Sequence, residues 1–285
     1  MLIFSSKVQS VFNFHRASEG VVLANGHRGY SSMYPENTLL AFEGARLAGM
    51  SSIELDVHMT RDEKMVVIHD FRIDRVSDGS GYVANMTLDE LSTYNFGVSM
   101  LSEGVNAAIP VLDDIFDWAI RHDTGLVVEI KQRCRLDRFI ERFTELVSTR
   151  TGIVGRMQLL GFNHVLLNQV KDRVPGLKIQ TVSLERYKNQ LEAILGSSAD
   201  CVCLEYEHTH IDDLKAYKQA GLGVRLYLPP GKLGLGTLEY FRFKFGHDVR
   251  SEILSWMKEG LIDMISHDDV LYVKRLIDDA GLKCA

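Results

Sequence analysis

The chain has 285 residues, close to the ~250 of one α/β barrel domain. Its 46% hydrophobic and 25% charged content is that of an ordinary globular protein, which excludes extended disorder. The 32 Lys and Arg against 38 Asp and Glu leave a net charge of -6, so nucleic acid is not an expected partner, although a local basic pocket can still hold a phosphate.

No window approaches the ~18 to 20 unbroken apolar residues of a membrane span. Residues 1–6 lack the pattern of a secretory signal, and the four cysteines, Cys134, Cys201, Cys203 and Cys284, are too scattered for a disulfide framework. A cytoplasmic, reducing location is the expectation.

Residues 1–20 show no clean periodicity and read as an N-terminal extension before a domain of residues 21–285. Strand-like apolar runs follow at 21–25, 52–57, 126–130, 157–161, 177–181, 200–205, 223–228 and 261–266. Amphipathic stretches at helical spacing lie between them, at 38–47, 111–120, 136–147, 165–174, 211–218, 249–257 and 270–276. Strand and helix in alternation predict a closed (β/α)₈ barrel, the TIM-barrel fold.

Two segments break the rhythm. Residues 58–109 are too long for a simple connection and carry their own strand-like run at 65–68, a Gly-rich turn at 78–81 and a short helix signal at 87–91, so they read as an inserted lobe over the barrel mouth. Residues 229–247 follow the seventh strand as a Pro- and Gly-rich loop. In it Phe241, Phe243 and Phe245 alternate as in a half-buried strand, for core packing or a homodimer contact.

In such a barrel the chemistry sits where strands end. That rule selects Gly26-His27-Arg28-Gly29, Glu54 and Asp56, His69-Asp70, and Glu129 with Lys131. Residues two apart on a strand share a face, so Glu54, Asp56 and Glu129 can converge. A hard divalent cation with oxygen ligands, Mg²⁺ or Ca²⁺, would neutralise them. Zinc is not favoured, since no His or Cys cluster accompanies them. Taken alone, Glu54 and Asp56 are as readily a strand-edge pair. His27, His58 and His69 are candidates for general acid and base, and Arg28 and Lys131 suit a phosphate. Cys201 and Cys203 read as buried, inert thiols, Trp118 and Trp256 as packing, and His208 and His210 as a solvated loop.

These residues resemble the glycerophosphodiester phosphodiesterase family. The resemblance lies in Gly26-His27-Arg28-Gly29, Tyr34-Pro35-Glu36-Asn37-Thr38, Ile53-Glu54-Leu55-Asp56-Val57 and Val66-Val67-Ile68-His69-Asp70. It continues more weakly in Ile109-Pro110, Glu129-Ile130-Lys131, Gly161-Phe162-Asn163 and the run 260–266. The resemblance implies a TIM barrel with an inserted lobe that hydrolyses a small glycerophosphodiester to glycerol 3-phosphate and an alcohol. Position by position, His27 and His69 would be the acid/base pair, Glu54, Asp56 and Glu129 the ligands of a divalent metal ion, and Arg28 and Lys131 the phosphate clamp. His58 lies outside the motif and would be a supporting residue. Pro35, Glu36 and Asn37 would shape the loop after the first strand, with Asn37 or Thr38 capping the next helix.

Departures concern the substrate side. The family's Trp-Thr-Val-Asn type sequence on strand seven is here Arg225-Leu226-Tyr227-Leu228. Gly161 stands for a Ser, and His267 for the Asp that ends the last strand. Tyr227 and Phe162 are the candidate pocket residues. Two rival readings are a cyclising phospholipase-type phosphodiesterase acting on a lipid or lysolipid, and a non-catalytic phosphodiester-binding barrel. The intact Pro-Glu-Asn-Thr run favours the glycerophosphodiesterase over the first, and the full set of polar groups disfavours the second.

Overall fold

The computed structural model describes residues 11–98 and 104–285. Residues 1–10 of the expected extension and 99–103 of the expected lobe lie outside the described residues. The first third of the chain forms β1 (Val21–Gly26), α1 (Leu39–Leu47), β2 (Ser52–Met59), β3 (Met65–Val67), α2 (Leu88–Leu91) and α3 (Leu112–His122). Next come β4 (Gly125–Ile130), α4 (Leu136–Ser148), β5 (Met157–Gly161), α5 (His164–Lys171), β6 (Lys178–Ser183) and α6 (Gln190–Gly196). The remainder is β7 (Cys201–Glu205), α7 (Ile211–Gln219), β8 (Gly223–Tyr227), α8 (Thr237–Phe245), α9 (Val249–Lys258), β9 (Met264–His267), α10 (Val270–Asp279) and β10 (Lys283–Cys284).

Parallel pairing runs β1, β2, β4, β5, β6, β7, β8, β9 and back to β1, so eight strands close into the expected TIM barrel. β3 adds antiparallel to the mouth end of β2, and β10 pairs with β1 at the opposite end. Alternation sorts each strand's side chains. Ile53, Leu55, Val57, Leu126, Val128, Val202 and Val224 face outward into the main core with the helices. Leu23, Val127, Leu160, Cys203 and Met264 form a separate interior cluster that Phe14 joins. Gly223, which opens β8, leaves room for this N-terminal segment: a Cβ there would lie 2.2 Å from His15 Nε2.

The stretch from β3 to the start of α3 has its own apolar cluster of Val66, Ile68, Ile73, Val76, Val83, Leu91, Phe96 and Ile109. Its short α2 begins with a reciprocal cap, Glu90 N–H to Thr87 Oγ1 at 3.2 Å and Thr87 N–H to Glu90 Oε2 at 2.7 Å. No described helix is long and apolar enough to cross a membrane.

Residues 229–247 are not a loop throughout. The Glu239 carboxylate accepts from Gly236 N–H at 3.1 Å, and from there the chain winds into α8 until Gly246 takes a left-handed φ of 76°. Spacing of four therefore replaces spacing of two: Phe241 is buried and stacks on Tyr206 at 5.4 Å, Phe245 packs beside it at 5.7 Å, and Phe243 is 68% exposed. Phe241→Ala should cost about 3 kcal/mol in urea unfolding and Phe243→Ala less than about 0.5 kcal/mol. A strand-like face would make the two losses similar. α6 is a helix absent from the expected set.

Candidate active site

β2 turns Glu54 and Asp56 into the barrel, and Glu129 on β4 stands opposite Asp56 in the parallel register. All three are buried, and one oxygen from each lies within 4.8 Å of the others. Among the described residues, Glu54 Oε1 has no hydrogen-bond partner, and Glu129 Oε1 and Asp56 Oδ1 meet only the Lys131 ammonium, at 2.6 and 3.4 Å. Burial, then the neighbouring Asp56 charge, push Glu54 up to about 8 and raise Glu129 as well. Burial also works against Asp56, but Lys131 and Arg28 hold it below its usual range. Converging oxygens short of donors fit a hard divalent cation.

His27 follows the end of β1, its N–H held by the His267 carbonyl at 3.1 Å. Nδ1 lies 2.6 Å from Asp268 Oδ1, and Nε2 lies 4.0 Å from Glu54 Oε2. Burial lowers the imidazole's pKa in spite of that hydrogen bond. Burial alone would raise Asp268, yet the bond from His27 keeps it low. Arg28 has a left-handed φ of 57°, and its N–H donates to Glu54 Oε2 at 3.0 Å. Gly29 is required behind it: φ is 82°, and a Cβ would stand 2.7 Å from the Ala41 carbonyl carbon.

The Arg28 guanidinium donates to Glu36 Oε1 at 2.8 Å and lies 3.3 Å from Asp56 Oδ2. Glu36 also accepts from Arg75 at 2.6 and 2.8 Å, and Arg75 reaches Asp70 at 2.7 Å. Asp70 Oδ1 in turn lies 2.6 Å from His69 Nδ1. Burial would raise the Asp70 carboxyl, but Arg75 and His69 hold it at about 2. Asn37 grips Asp56 twice, Nδ2 donating to Oδ2 at 2.7 Å and Oδ1 accepting its N–H at 3.1 Å, while Thr38 caps α1. His58 Nε2 sits 3.1 Å from the His69 carbonyl.

A cavity of about 140 Å³ opens over this cluster. Its lining combines polar residues, among them His27, Arg28, Glu54, Glu129 and Lys131, with apolar and aromatic ones, among them Leu160, Phe162 and Tyr227. Tyr227 meets the His27 ring at 4.7 Å, and Lys131 Nζ lies 5.8 Å from the Phe162 ring centre. Both basic residues are thus engaged by carboxylates. His69 lines a separate small pocket with Glu36 and Asn37, and is tied to Arg28 through Asp70, Arg75 and Glu36.

Sequence reasoning missed Asp268, Arg75 and the interior Arg225. The carboxylate sought at position 267 is supplied one residue later, a shift that the run His267-Asp268-Asp269 at the end of the last strand could have signalled. Cys201 and Cys203 are buried free thiols, Trp118 and Trp256 are core residues, and His210 caps α7.

The fold and site geometry can be set beside known proteins. An Oleispira antarctica phosphodiesterase, solved in complex with the product sn-glycerol-3-phosphate, superposes with a TM-score of 0.74 at 19% identity, over 92% of this chain and 99% of that one. A Thermotoga maritima glycerophosphodiester phosphodiesterase gives 0.64 at 23%, over 89% and 98%. These likenesses define the class of fold. In sequence, a glycerophosphodiester phosphodiesterase of Caldanaerobacter subterraneus subsp. tengcongensis is 36% identical over 157 residues, 55% of this chain and 65% of that protein. Across three curated bacterial relatives, this one included, the match spans 57% to 65% of their length. The family model for glycerophosphoryl diester phosphodiesterases matches residues 27–271, and the chain belongs to that family.

Proposed function

We propose that this chain hydrolyses a small glycerophosphodiester to sn-glycerol 3-phosphate and an alcohol. The observation that carries the reading is the convergence of Glu54, Asp56 and Glu129 beside His27, whose Nδ1 is anchored by Asp268. The sn-glycerol-3-phosphate bound to the Oleispira relative supports the same product class. Glu54, Asp56 and Glu129 would hold the divalent metal ion, Mg²⁺ or Ca²⁺, which when bound neutralises their charge and polarises a phosphoryl oxygen.

Arg28 and Lys131 hold the diester's negative charge in the same cavity. His27 and His69 share one arrangement: each ring has Nδ1 on an aspartate, which leaves Nε2 for proton transfer. One ring takes the proton of the attacking water, or of the neighbouring glycerol hydroxyl in a route whose cyclic phosphate water then opens, and the other delivers a proton to the leaving alkoxide. The apolar lining with Tyr227 and Phe162 receives the organic part of the substrate. The lobe of residues 58–109 supplies His69 and Asp70, and the protein is read as a cytoplasmic enzyme.

The test is release of glycerol 3-phosphate from glycerophosphocholine, glycerophosphoethanolamine and glycerophosphoglycerol, with Mg²⁺, Ca²⁺ or EDTA. Turnover by wild type, its loss in EDTA and a fall of about 10²- to 10⁴-fold in His27→Ala are expected. A folded wild type that releases nothing from all three with either ion overturns the reading.

A further inference from the structure

The cavity contains a guanidinium that the proposed chemistry leaves unused. Arg225 points inward from β8, is 1% exposed and lines the cavity beside Glu54 and Glu129. Its Nη2 donates to Ser266 Oγ at 2.7 Å, the Ser266 hydroxyl donates to Asn25 Oδ1 at 3.1 Å, and Asn25 Nδ2 donates to Ser52 Oγ at 3.0 Å. This chain of side chains crosses β8, β9, β1 and β2, four strands in a row, and ends on the strand that carries Glu54 and Asp56. Arg225 Nε and Nη1 have no hydrogen-bond partner among the described residues. A buried guanidinium in that state is costly unless opposite charge compensates it, and Glu54 and Glu129, which line the same cavity, are the carboxylates whose pKa values its charge lowers.

We propose that Arg225 is the fixed counter-charge of Glu54 and Glu129, a positioning residue that holds these two acids together without a cation and sets how tightly a cation binds. The inference rests on the metal reading above. It separates the two interior cations by mobility. Lys131 has a 19% exposed side chain on the open side and can turn toward an anion when a metal takes over its carboxylates. Arg225 is pinned and enclosed, so its charge persists in the loaded site and weakens cation binding. A neutral side chain of similar volume should bind the ion more tightly and leave the metal-free protein less stable.

Isothermal titration of the full chain with Mg²⁺ alone and Ca²⁺ alone tests this, together with thermal midpoints in EDTA. Arg225→Met should tighten binding about tenfold or more and lower the midpoint in EDTA, whereas Arg225→Lys, which keeps the charge, should bind within about threefold of wild type. A folded Arg225→Met protein with unchanged or weaker binding overturns the proposal. Should that variant fail to fold, Arg225→Gln keeps a partner for Ser266 without the charge and faces the same criterion. A tenfold shift in Arg225→Lys also counts against it. Wild type that binds neither ion removes the metal reading and this inference with it, and turnover measured in EDTA then shows whether the hydrolase reading survives alone.

Discussion

Glu54→Gln is expected to raise the thermal midpoint of the metal-free protein while removing metal-dependent turnover. Glu54 is 0% exposed, one of its oxygens has no hydrogen-bond partner among the described residues, and burial with the Asp56 charge lifts its pKa from 4.5 to about 8. A carboxyl whose folded-state pKa lies above its unfolded value stabilises the fold while it keeps its proton, and that stability drains away as pH rises from about 4.5 to about 8. In EDTA the wild type should lose stability across this window, and Glu54→Gln should be flatter there. The gap between them should grow with pH to the order of a few kcal/mol. With Mg²⁺ or Ca²⁺ the ranking reverses, because only wild type gains stability from ion binding. Turnover of the variant should fall by at least about a hundredfold. Melting curves from pH 4 to 9 with EDTA or metal decide it: a variant that melts lower in EDTA, or keeps the full metal-induced shift, would remove Glu54 from the ligand set.

The second large effect belongs to Asp268→Asn. The aspartate accepts from His27 Nδ1 at 2.6 Å, which fixes the ring with Nε2 toward the cavity and favours an imidazolium during proton transfer. An amide keeps the size, loses the charge and admits the opposite ring orientation. We expect kcat to fall by about 10²- to 10⁴-fold, KM to change by less than about threefold, and the melting midpoint to stay near that of wild type. The pH profile supplies the sign. Burial already lowers the His27 pKa and Asp268 opposes that shift, so the variant's His27-dependent limb should move to lower pH. A limb that moves upward, or a variant with wild-type kcat, contradicts a positioning role for Asp268.

The barrel was legible because a buried parallel sheet writes itself as short apolar runs of even spacing, as in 126–130 and 223–228. Glu54 and Asp56 were legible for a related reason: two acids two residues apart in such a run must enter the barrel together. Long-range pairing is not written in local spacing, even where, as at 267–269, a candidate carboxylate stands at a strand end. Asp268 meets His27 across 241 residues, and no spacing in the sequence joins them. Arg225 lies two residues before the pocket candidate Tyr227 on one strand, so alternation puts both on the inward face, but nothing local says what a guanidinium would meet there. Glu36 looked like a loop-shaping residue, yet its two arginine partners, Arg28 and Arg75, come from opposite sides of β2 in the chain. The aromatic run 241–245 satisfies both a two-residue and a four-residue period, and the prolines and glycines before it favoured a loop. α6 is only seven residues long, too short for its amphipathic pattern to stand out.

Most of the motif residues lie before position 70, but the cage that holds His27 closes only where β1 meets β9. During synthesis, therefore, a nascent chain that has emerged as far as His69 carries both candidate histidines and two of the three acids but not the finished geometry around His27. β1 must wait for a partner strand some 240 residues downstream, a contact of high sequence separation that forms slowly and late. Competence for chemistry should thus appear abruptly with ring closure, near the end of folding, rather than build up as the motifs are translated.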